Sequence, residues 1–313
     1  MRKLVLLIAV FGATMLLQLC LAPANAAAAL RTWISHTGND ANNCSQTSPC
    51  QTLIGALAKT AGGGEIDCLD AGDFSTLLQD TQITISITID CHGVNGSSFN
   101  FADGTGIDIN TPGGAVILRG LSFNGANLNS AIDSGIKITA AAAVIIEDCS
   151  ITGFNRGIKD VRTTGLTQLF VKNTVVQNNR VASNSTSILL AAAPKNSVVL
   201  ENVELLSNNG YGIAVATGNN VVISRSVISG NGIAGIEADP GAEVYVENTK
   251  ISHNANYGIF ALGTVALANS DISFNTSSIS GSSMSYGNNR LFGNGGGTAP
   301  TPAGATSTDF GQQ

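Results

Sequence analysis

Asparagine pairs separated by six residues recur along the second half of the sequence, and this spacing constrains the fold more than any other feature. Asn202 with Asn208 and Asn248 with Asn254 are two examples. Apolar residues occupy almost every second place around them, which is typical of β-strands. The first asparagines of the series are Asn173, Asn202, Asn248, Asn269 and Asn288, and the second are Asn179, Asn208, Asn231, Asn254, Asn275 and Asn294. A pattern repeated in this way indicates a fold built from structural repeats.

The apolar residues keep the same places relative to the first asparagine. The anchors of the repeat are Gly120, Asp148, Asn173, Asn202, Arg225, Asn248, Asn269 and Asn288. In all eight units, apolar or aromatic residues stand four and two places before the anchor and three places after it; in the last unit they are Met284, Tyr286 and Leu291. Each unit therefore predicts a short strand, a corner at the anchor, a second short strand and another corner.

A third strand follows in most units and begins with Gly-Ile. The pair occurs at Gly106-Ile107, Gly135-Ile136, Gly157-Ile158, Gly212-Ile213, Gly235-Ile236 and Gly258-Ile259. We expect the glycine to supply the backbone conformation that a corner demands. Three strands per coil, with anchors 19 to 29 residues apart, predict an all-β, single-stranded parallel β-helix. Stacking the coils brings equivalent asparagines together, so we interpret them as structural corner residues whose amides hydrogen-bond along the stack.

The first 26 residues predict export. Two basic residues precede an apolar run and Ala24-Asn25-Ala26, the pattern of a secretory signal peptide cleaved after Ala26, so we expect a secreted protein, extracellular or periplasmic. Nothing later is long and apolar enough for a transmembrane segment. Cleavage removes two positive charges and changes the formal net charge from −6 to −8. An acidic chain without a basic block is unsuited to nucleic acid, and we expect a monomer.

The two ends of the mature chain differ from the repeats. We expect residues 27–64 to form an N-terminal edge with a capping helix, because Leu53, Ile54 and Leu57 have helical spacing. The β-helix is expected over residues 65–294. Residues 295–313, which are rich in glycine, proline and threonine, are expected to form a flexible C-terminal tail.

Five cysteines remain after removal of the signal peptide. Cys44 and Cys50 bracket a short turn and are the pair that we favour for a disulfide, which export permits. Cys68 and Cys91 end two similar strands 23 residues apart, so they are also disulfide candidates. Cys149 is left over, and we interpret it as a small buried apolar residue. No Cys/His spacing indicates zinc, and we expect neither a metal nor a cofactor.

The repeat "NTKISHNANYGI" resembles that of the right-handed parallel β-helix in the pectate-lyase-like superfamily. The opening of the mature chain, which contains "NCSQTSPCQTLIGALAKT", looks like that of secreted bacterial β-helix proteins without an assigned activity. This resemblance covers nearly all of the mature chain. It implies the fold, and it implies that a polysaccharide could lie along the outer face of one sheet. It does not imply one activity, because a single fold hosts many.

The sheet that starts at Gly-Ile is the natural candidate for such a surface. The residue after each Gly-Ile is expected to point outward, which places Lys137 and Lys159 on successive coils with Asp108 beside them and Arg156 in the adjacent corner. These four residues are our substrate-binding candidates. Cations beside a carboxylate could bind uronic-acid groups or lower the proton affinity of a lysine. The simpler interpretation, which we favour, is a surface ion pair between Asp108 and Lys137.

The catalytic motifs of the superfamily are mostly missing. A polygalacturonase-like site needs paired aspartates and a Gly-His-Gly element, whereas the nearest match here is Cys91-His92-Gly93. Three hypotheses therefore stay open. The protein is a carbohydrate-associated β-helix that binds polysaccharide along a lateral face, a polysaccharide lyase or glycoside hydrolase, or a structural or adhesive surface protein with no small ligand.

Overall fold

The computed structural model describes residues 28–75, 81–94, 97–100, 104–125, 133–179, 182–193 and 195–304. The predicted signal peptide, residues 1–26, and the last part of the predicted tail, residues 305–313, lie outside the described residues. Within them, no helix is both long and apolar enough to cross a membrane.

The described strands form three parallel sheets, which the chain visits in turn. Sheet 1 has 12 strands: Ala29–Ile34, Thr60–Cys68, Ile87–Asp90, Ala115–Arg119, Ala143–Glu147, Thr167–Lys172, Asn196–Glu201, Asn219–Ser224, Glu243–Glu247, Thr264–Ala268, Met284–Ser285 and Thr301–Pro302. Sheet 2 has 10 strands: Gly72–Asp73, Ser97–Asn100, Ser122–Asn124, Ser150–Thr152, Val175–Gln177, Glu204–Leu206, Val227–Ser229, Lys250–Ser252, Asp271–Ser273 and Arg290–Phe292. Sheet 3 has 9 strands: Thr81–Ile83, Thr105–Asn110, Ser134–Ala140, Arg156–Asp160, Thr186–Leu190, Tyr211–Val215, Ala234–Ala238, Tyr257–Ala261 and Ser277–Gly281. The predicted parallel β-helix is confirmed.

The anchors are the corners between sheets 1 and 2. All eight have positive φ, between 48° and 65°, a conformation that glycine, asparagine and aspartate adopt at lower cost than other residues. The corner between sheets 2 and 3 repeats this conformation five residues after the anchor, at Gly153, Asn178, Ser207, Gly230, His253, Phe274 and Gly293. The second asparagine of each pair directly follows this residue, which explains the spacing of six.

The second asparagines form a continuous buried ladder. Asn208 Nδ2 donates to Asn231 Oδ1 at 2.7 Å, and Asn231 Nδ2 donates to Asn254 Oδ1 at 2.9 Å. The same bond joins Asn179 to Asn208, Asn254 to Asn275 and Asn275 to Asn294. From Asn208 onward, each Oδ1 also accepts the backbone N–H of the preceding asparagine of the ladder, and Asn179 Oδ1 accepts the Phe154 N–H. The predicted amide stack is thus confirmed, and it satisfies buried polar groups where no strand ladder exists.

The first asparagines form a weaker, exposed row. Asn202 Nδ2 donates to Asn173 Oδ1 at 2.9 Å, and Asn288 Nδ2 donates to Asn269 Oδ1 at 3.0 Å. Arg225 replaces the amide between Asn202 and Asn248 and breaks the row. At these positions asparagine is therefore favoured mainly because it tolerates a positive φ, and only secondarily because its amide bonds to a neighbouring coil.

Side chains from all three sheets fill the interior in layers. Val116, Val144, Leu169 and Val198 pair in register on sheet 1, and each has at most 1% of its surface exposed. The residues that stand two places before and three places after each anchor are equally buried, except in the last unit. Because the strands alternate inward and outward residues, the apolar pattern of the sequence specifies this core.

The glycine of Gly-Ile has a different role from the one that we expected. In Gly135, Gly157, Gly212, Gly235 and Gly258, φ is not positive. A Cβ on Gly235 would lie 2.7 Å from the carbonyl oxygen of Gly258 and 2.9 Å from Asn254 Nδ2. The glycine is therefore required because the next coil and the asparagine ladder occupy the space of a side chain.

A helix at Leu53–Leu57 covers the N-terminal end, as predicted. Thr52 Oγ1 accepts the Gly55 N–H at 3.0 Å as its N-cap, and Leu53 and Ala56 are fully buried. The helix packs against the first strands of sheets 1 and 3. Strand Ala29–Ile34 already belongs to sheet 1, so this sheet begins before residue 65, the boundary that we expected.

The last coils depart from the predicted alignment. Met284 pairs with Ala266 rather than with Val265, so Met284 and Tyr286 do not take the inward places that the repeat assigned to them. The serine-rich sequence here offers few apolar residues to set the register. Strand Thr301–Pro302 then pairs with Met284–Ser285, so the pairing continues beyond residue 294, where we placed the end of the β-helix.

The cysteines pair as the sequence indicated. Cys44 is bonded to Cys50, and Cys68 is bonded to Cys91. Cys149 is a free thiol with 3% of its surface exposed. Burial raises the pKa of Cys149 to about 12.

We expect Cys149 to resist iodoacetamide in the folded protein at about pH 8, because the thiolate is the reactive form and the thiol is shielded. Intact-mass spectrometry of the mature protein, which lacks Cys20 of the predicted signal peptide, should show no added alkyl group on the native form. The unreduced protein in denaturant should gain one, which serves as the control. Rapid alkylation of the native protein would contradict the burial of this residue.

Candidate functional site

A row of outward side chains runs along sheet 3, one from each coil. Asp108 pairs with Lys137, and Lys137 pairs with Lys159 in the register of the strands. Strand pairing places such neighbours about 4.8 Å apart. The same row continues through Leu189, Ala214, Glu237 and Phe260. Three of the four sequence candidates thus lie side by side, and Arg156 begins the strand that carries Lys159.

Both lysines of the row are paired with carboxylates. Lys137 Nζ lies 3.3 Å from Asp108 Oδ2, and Thr139 Oγ1 donates to Asp108 Oδ1 at 2.6 Å. Lys159 Nζ donates to Asp133 Oδ2 at 2.7 Å. The Asp108–Lys137 ion pair that we favoured from the sequence is present. An anionic ligand would have to compete with these carboxylates or share the lysines with them.

Asp133 is a member of the site that we did not predict. Burial raises the pKa of its carboxyl group, but hydrogen bonds from Lys159 and Ser134, together with the charge of Lys159, outweigh this effect and leave the pKa below its usual value. Asp133 stands two residues before Gly135, at the corner that leads into sheet 3. The repeat alignment gives this place no consistent residue, so only its position beside the following coil could have pointed to it.

Arg156 differs from the lysines because its guanidinium group bonds to an amide. Nη1 donates to Asn155 Oδ1 at 2.6 Å and to the Asn155 carbonyl oxygen at 3.0 Å. Burial lowers the pKa of Arg156, and the charge of Asp133 opposes this effect only in part. Among the described residues, no carboxylate lies within 4.0 Å of this guanidinium group. It is therefore the cation of this site that is best placed to meet an incoming anion.

The other end of the row combines a carboxyl group with aromatic rings. Tyr257 and Phe260 stack with ring centroids 5.1 Å apart. Burial raises the pKa of Glu237, whereas its hydrogen bond with Tyr211 lowers it. Burial also raises the pKa of Tyr211 to about 12. Ala234 lies between Tyr211 and Tyr257 in the register, which separates the two tyrosines by a coil.

The remaining aspartates and histidines do not form a metal centre. In the described parts of the chain, no three His, Cys, Asp or Glu side chains are grouped to hold an ion. His92 lies between Asp90 and Asp148 at the first corner, with Nε2 2.8 Å from Asp148 Oδ2. Asp160 lies elsewhere and forms a buried pair with Arg162. Asp148 is at the corner after a strand of sheet 1, whereas Asp160 ends a strand of sheet 3, so the two carboxylates belong to different parts of the coil.

Three solved structures to which this chain is similar are enzymes of other names. The mannuronan C-5 epimerase AlgE4 A-module from Azotobacter vinelandii is 17% identical, with 76% of this chain and 70% of that chain covered and a TM-score of 0.56. A rhamnogalacturonan lyase is 12% identical, with 81% and 74% covered and a TM-score of 0.49. The pectate lyase Pel9A is 14% identical, with 88% and 80% covered and a TM-score of 0.46. At such identities the likeness concerns the fold alone.

Sequence comparison gives the family. No curated protein matches the sequence significantly. The family described as "Right handed beta helix region" matches residues 79–218 and 164–305, which together span most of the chain. With its three parallel sheets and its asparagine ladder, the chain belongs to the right-handed β-helix family.

Proposed function

We propose that this protein binds an anionic polysaccharide along the outer face of sheet 3. The observation that carries this proposal is the arrangement of Lys137 and Lys159 on successive coils, with Arg156 free of a described carboxylate partner. Ammonium and guanidinium groups recognise carboxylates through charge-assisted hydrogen bonds. A row parallel to the solenoid axis suits an extended chain that carries one carboxylate per sugar. The likeness to a mannuronan epimerase is consistent with this class of ligand.

The proposal also covers the secretion of the protein and the organisation of its domains. We propose that residues 1–26 are removed on secretion and that the mature chain acts as a monomer outside the cell or in the periplasm. Two disulfides fit an oxidising compartment. The domain plan expected from the sequence is part of the same proposal: an N-terminal edge over residues 27–64, a β-helix over residues 65–294 and a tail over residues 295–313. The pairing of Ala29–Ile34 and Thr301–Pro302 extends sheet 1 into the two flanking parts.

Replacing Lys137 and Lys159 together by alanine should weaken the binding of anionic oligosaccharides at least about tenfold, because charge-assisted hydrogen bonds contribute about 1.5–3 kcal/mol each. Isothermal titration calorimetry with oligogalacturonate and oligomannuronate measures the effect. Added salt should weaken binding to the unmodified protein, since exposed charges are screened. Lys250→Ala, a lysine on sheet 2, is the matched control and should bind as the unmodified protein does. Failure of every anionic glycan to bind would contradict the proposal.

A polysaccharide lyase or glycoside hydrolase is the second candidate function. The Tyr211–Glu237 pair favours it, because a hydrogen-bonded carboxyl group of raised pKa beside aromatic rings is a feature of acid–base catalysis. Mass spectrometry of the same oligosaccharides after incubation distinguishes the candidates. Shortened or unsaturated products would support the enzyme, and binding without products would support the first proposal. If no glycan binds or is cleaved, a structural or adhesive role is favoured.

A further inference from the structure

A cavity of about 430 Å³ lies at the corner where the chain passes from sheet 3 to sheet 1, and none of the four sheet 3 candidates lines it. We call it the corner cavity. Its floor contains one outward residue from each of four successive coils, paired in register: Ala143, Gln168, Ser197 and Asn220. Because coils repeat about every 4.8 Å, this floor is about 14 Å long. A cavity of this volume is within the usual range of small-molecule sites.

An enlarged connection forms part of the wall of the corner cavity. Six residues, 161–166, join strand Arg156–Asp160 to strand Thr167–Lys172, whereas two residues make the same connection after strand Tyr257–Ala261. Leu166 ends the enlarged connection and lines the cavity. Its side chain is 76% exposed, the highest value among the large apolar side chains that the structure describes. Loops enlarged on a rigid scaffold are where binding residues concentrate.

The lining of the corner cavity changes from apolar to polar along the solenoid axis. The apolar end is lined by Ala142, Ala143 and Leu166. The polar end is lined by Lys195, Ser197 and Asn220. A second cavity of about 350 Å³, on the other side of Leu166, extends the apolar end toward Pro112. The one charged residue of this second cavity, Arg162, is already paired with Asp160. A ligand that matches this lining is apolar at one end and polar at the other.

The charge at the polar end favours an anionic head group. Lys195 is the one charged residue that lines the corner cavity, and neither an aspartate nor a glutamate lines it. Lys195 forms no ion pair with another residue that the structure describes. Within the same described ranges, the side-chain amides of Gln168 and Asn220 have no hydrogen-bond partner. These groups can therefore donate to a carboxylate without giving up existing bonds.

We propose that the corner cavity binds a single-chain aliphatic carboxylate, with the carboxylate at Lys195 and the hydrocarbon chain against Ala142, Ala143 and Leu166. A medium-chain fatty acid combines an apolar body with a single negative charge at one end, as the lining requires. Esterified acyl chains lack this carboxylate and do not match the cavity. The inference goes beyond the proposed function and does not depend on it, because the two sites share neither residues nor ligand class.

Isothermal titration calorimetry of the mature protein with butanoate, hexanoate and octanoate tests the proposal. We expect the affinity to rise about threefold per added methylene, because each methylene is removed from water. Octan-1-ol, which has the chain of octanoate without its charge, should bind at least about tenfold more weakly than octanoate. Lys195→Gln should abolish this preference for octanoate. Lys172→Gln, a change at an exposed lysine of sheet 1 that is paired with Glu201, is the matched control and should preserve it.

The apolar end of the corner cavity has its own pair of variants. Leu166→Asp places a negative charge beside the hydrocarbon chain and should weaken octanoate binding at least about tenfold. Leu262→Asp makes the same change in the connection between sheets 3 and 1 of a later coil, where the leucine is 52% exposed, and should have no effect. Both leucines are exposed, so we expect both variants to fold. Circular dichroism verifies that each variant is folded.

Three results would overturn the proposal of a fatty-acid site. The first is that octanoate does not bind the unmodified protein. The second is that octanoate binds the Lys195→Gln and Leu166→Asp variants as tightly as the unmodified protein. The third is an affinity that does not depend on chain length. Binding of anionic oligosaccharides that depends on Lys137 and Lys159 would survive each of these results, so the two proposals fail separately.

Discussion

Replacing Asn231 by alanine should lower the free energy of unfolding by about 2–4 kcal/mol, because buried polar groups that lose their partners each cost about 1–3 kcal/mol. Asn231 Oδ1 accepts both the side-chain amide and the backbone N–H of Asn208. Its Nδ2 donates to Asn254 Oδ1 and to the Leu205 carbonyl oxygen. Alanine supplies none of these bonds, and Asn231 is only 1% exposed, so water cannot replace them.

Equilibrium urea denaturation followed by circular dichroism measures this effect. Asn248→Gly is the matched control, because it removes an asparagine from the exposed row while glycine accepts the positive φ of 49°. That change should cost less than about 1 kcal/mol, as is usual at the surface. Equal losses in the two variants would contradict a special role for the buried ladder.

The Asp160→Ala variant should be less stable by about 3–5 kcal/mol, the usual effect of leaving one charge of a buried pair without its partner. Arg162 and Asp160 have side chains that are each 2% exposed, with Arg162 Nη2 2.6 Å from Asp160 Oδ2. Asn196 donates to the same carboxylate oxygen at 3.1 Å. Arg162 Nη1 also donates to the carbonyl oxygens of Ala141 and Gln168. At the corner between sheets 3 and 1, the pair therefore links its own coil with the preceding and the following one.

An exposed pair provides the control for this prediction. Arg290 and Asp271 are paired with side chains 76% and 37% exposed, and Asp271→Ala should cost less than about 1 kcal/mol. The double variant Asp160→Leu, Arg162→Met should regain much of the loss, because it removes both buried charges. Urea denaturation compares all three variants. The prediction is contradicted if Asp160→Ala and Asp271→Ala are destabilised to the same extent.

The fold could be predicted in detail because its determinants are local and repeated. An asparagine at a corner, an apolar residue at every second place and Gly-Ile at the third strand describe one coil, and each coil repeats the description. In-register stacking then places Lys137 beside Asp108 and beside Lys159, and Cys68 near Cys91. The register was wrong at Met284, where serines replace the apolar residues that would have set it.

The role of the glycine in Gly-Ile shows the limit of local reasoning. The sequence suggested a corner conformation, whereas the actual constraint is the distance from Gly235 to the carbonyl oxygen of Gly258 and to Asn254 of the next coil. That distance exists only after the coils have stacked. Both explanations require glycine, so the sequence pattern could not distinguish them.

By itself, the sequence determined the path of the backbone: the three strands per coil, the two corners, the buried Val, Ile and Leu rows and the amide ladder. The tertiary structure alone decided the partners of the charged and aromatic side chains. It paired Lys159 with Asp133, buried Arg162 with Asp160, and placed Tyr245 against Tyr286. The physical reason is that period-two alternation and corner conformation are encoded within one coil. Contacts between coils depend instead on loops of unequal length and on how side chains that are far apart in the sequence pack together, as Lys159 and Asp133 or Tyr245 and Tyr286 do.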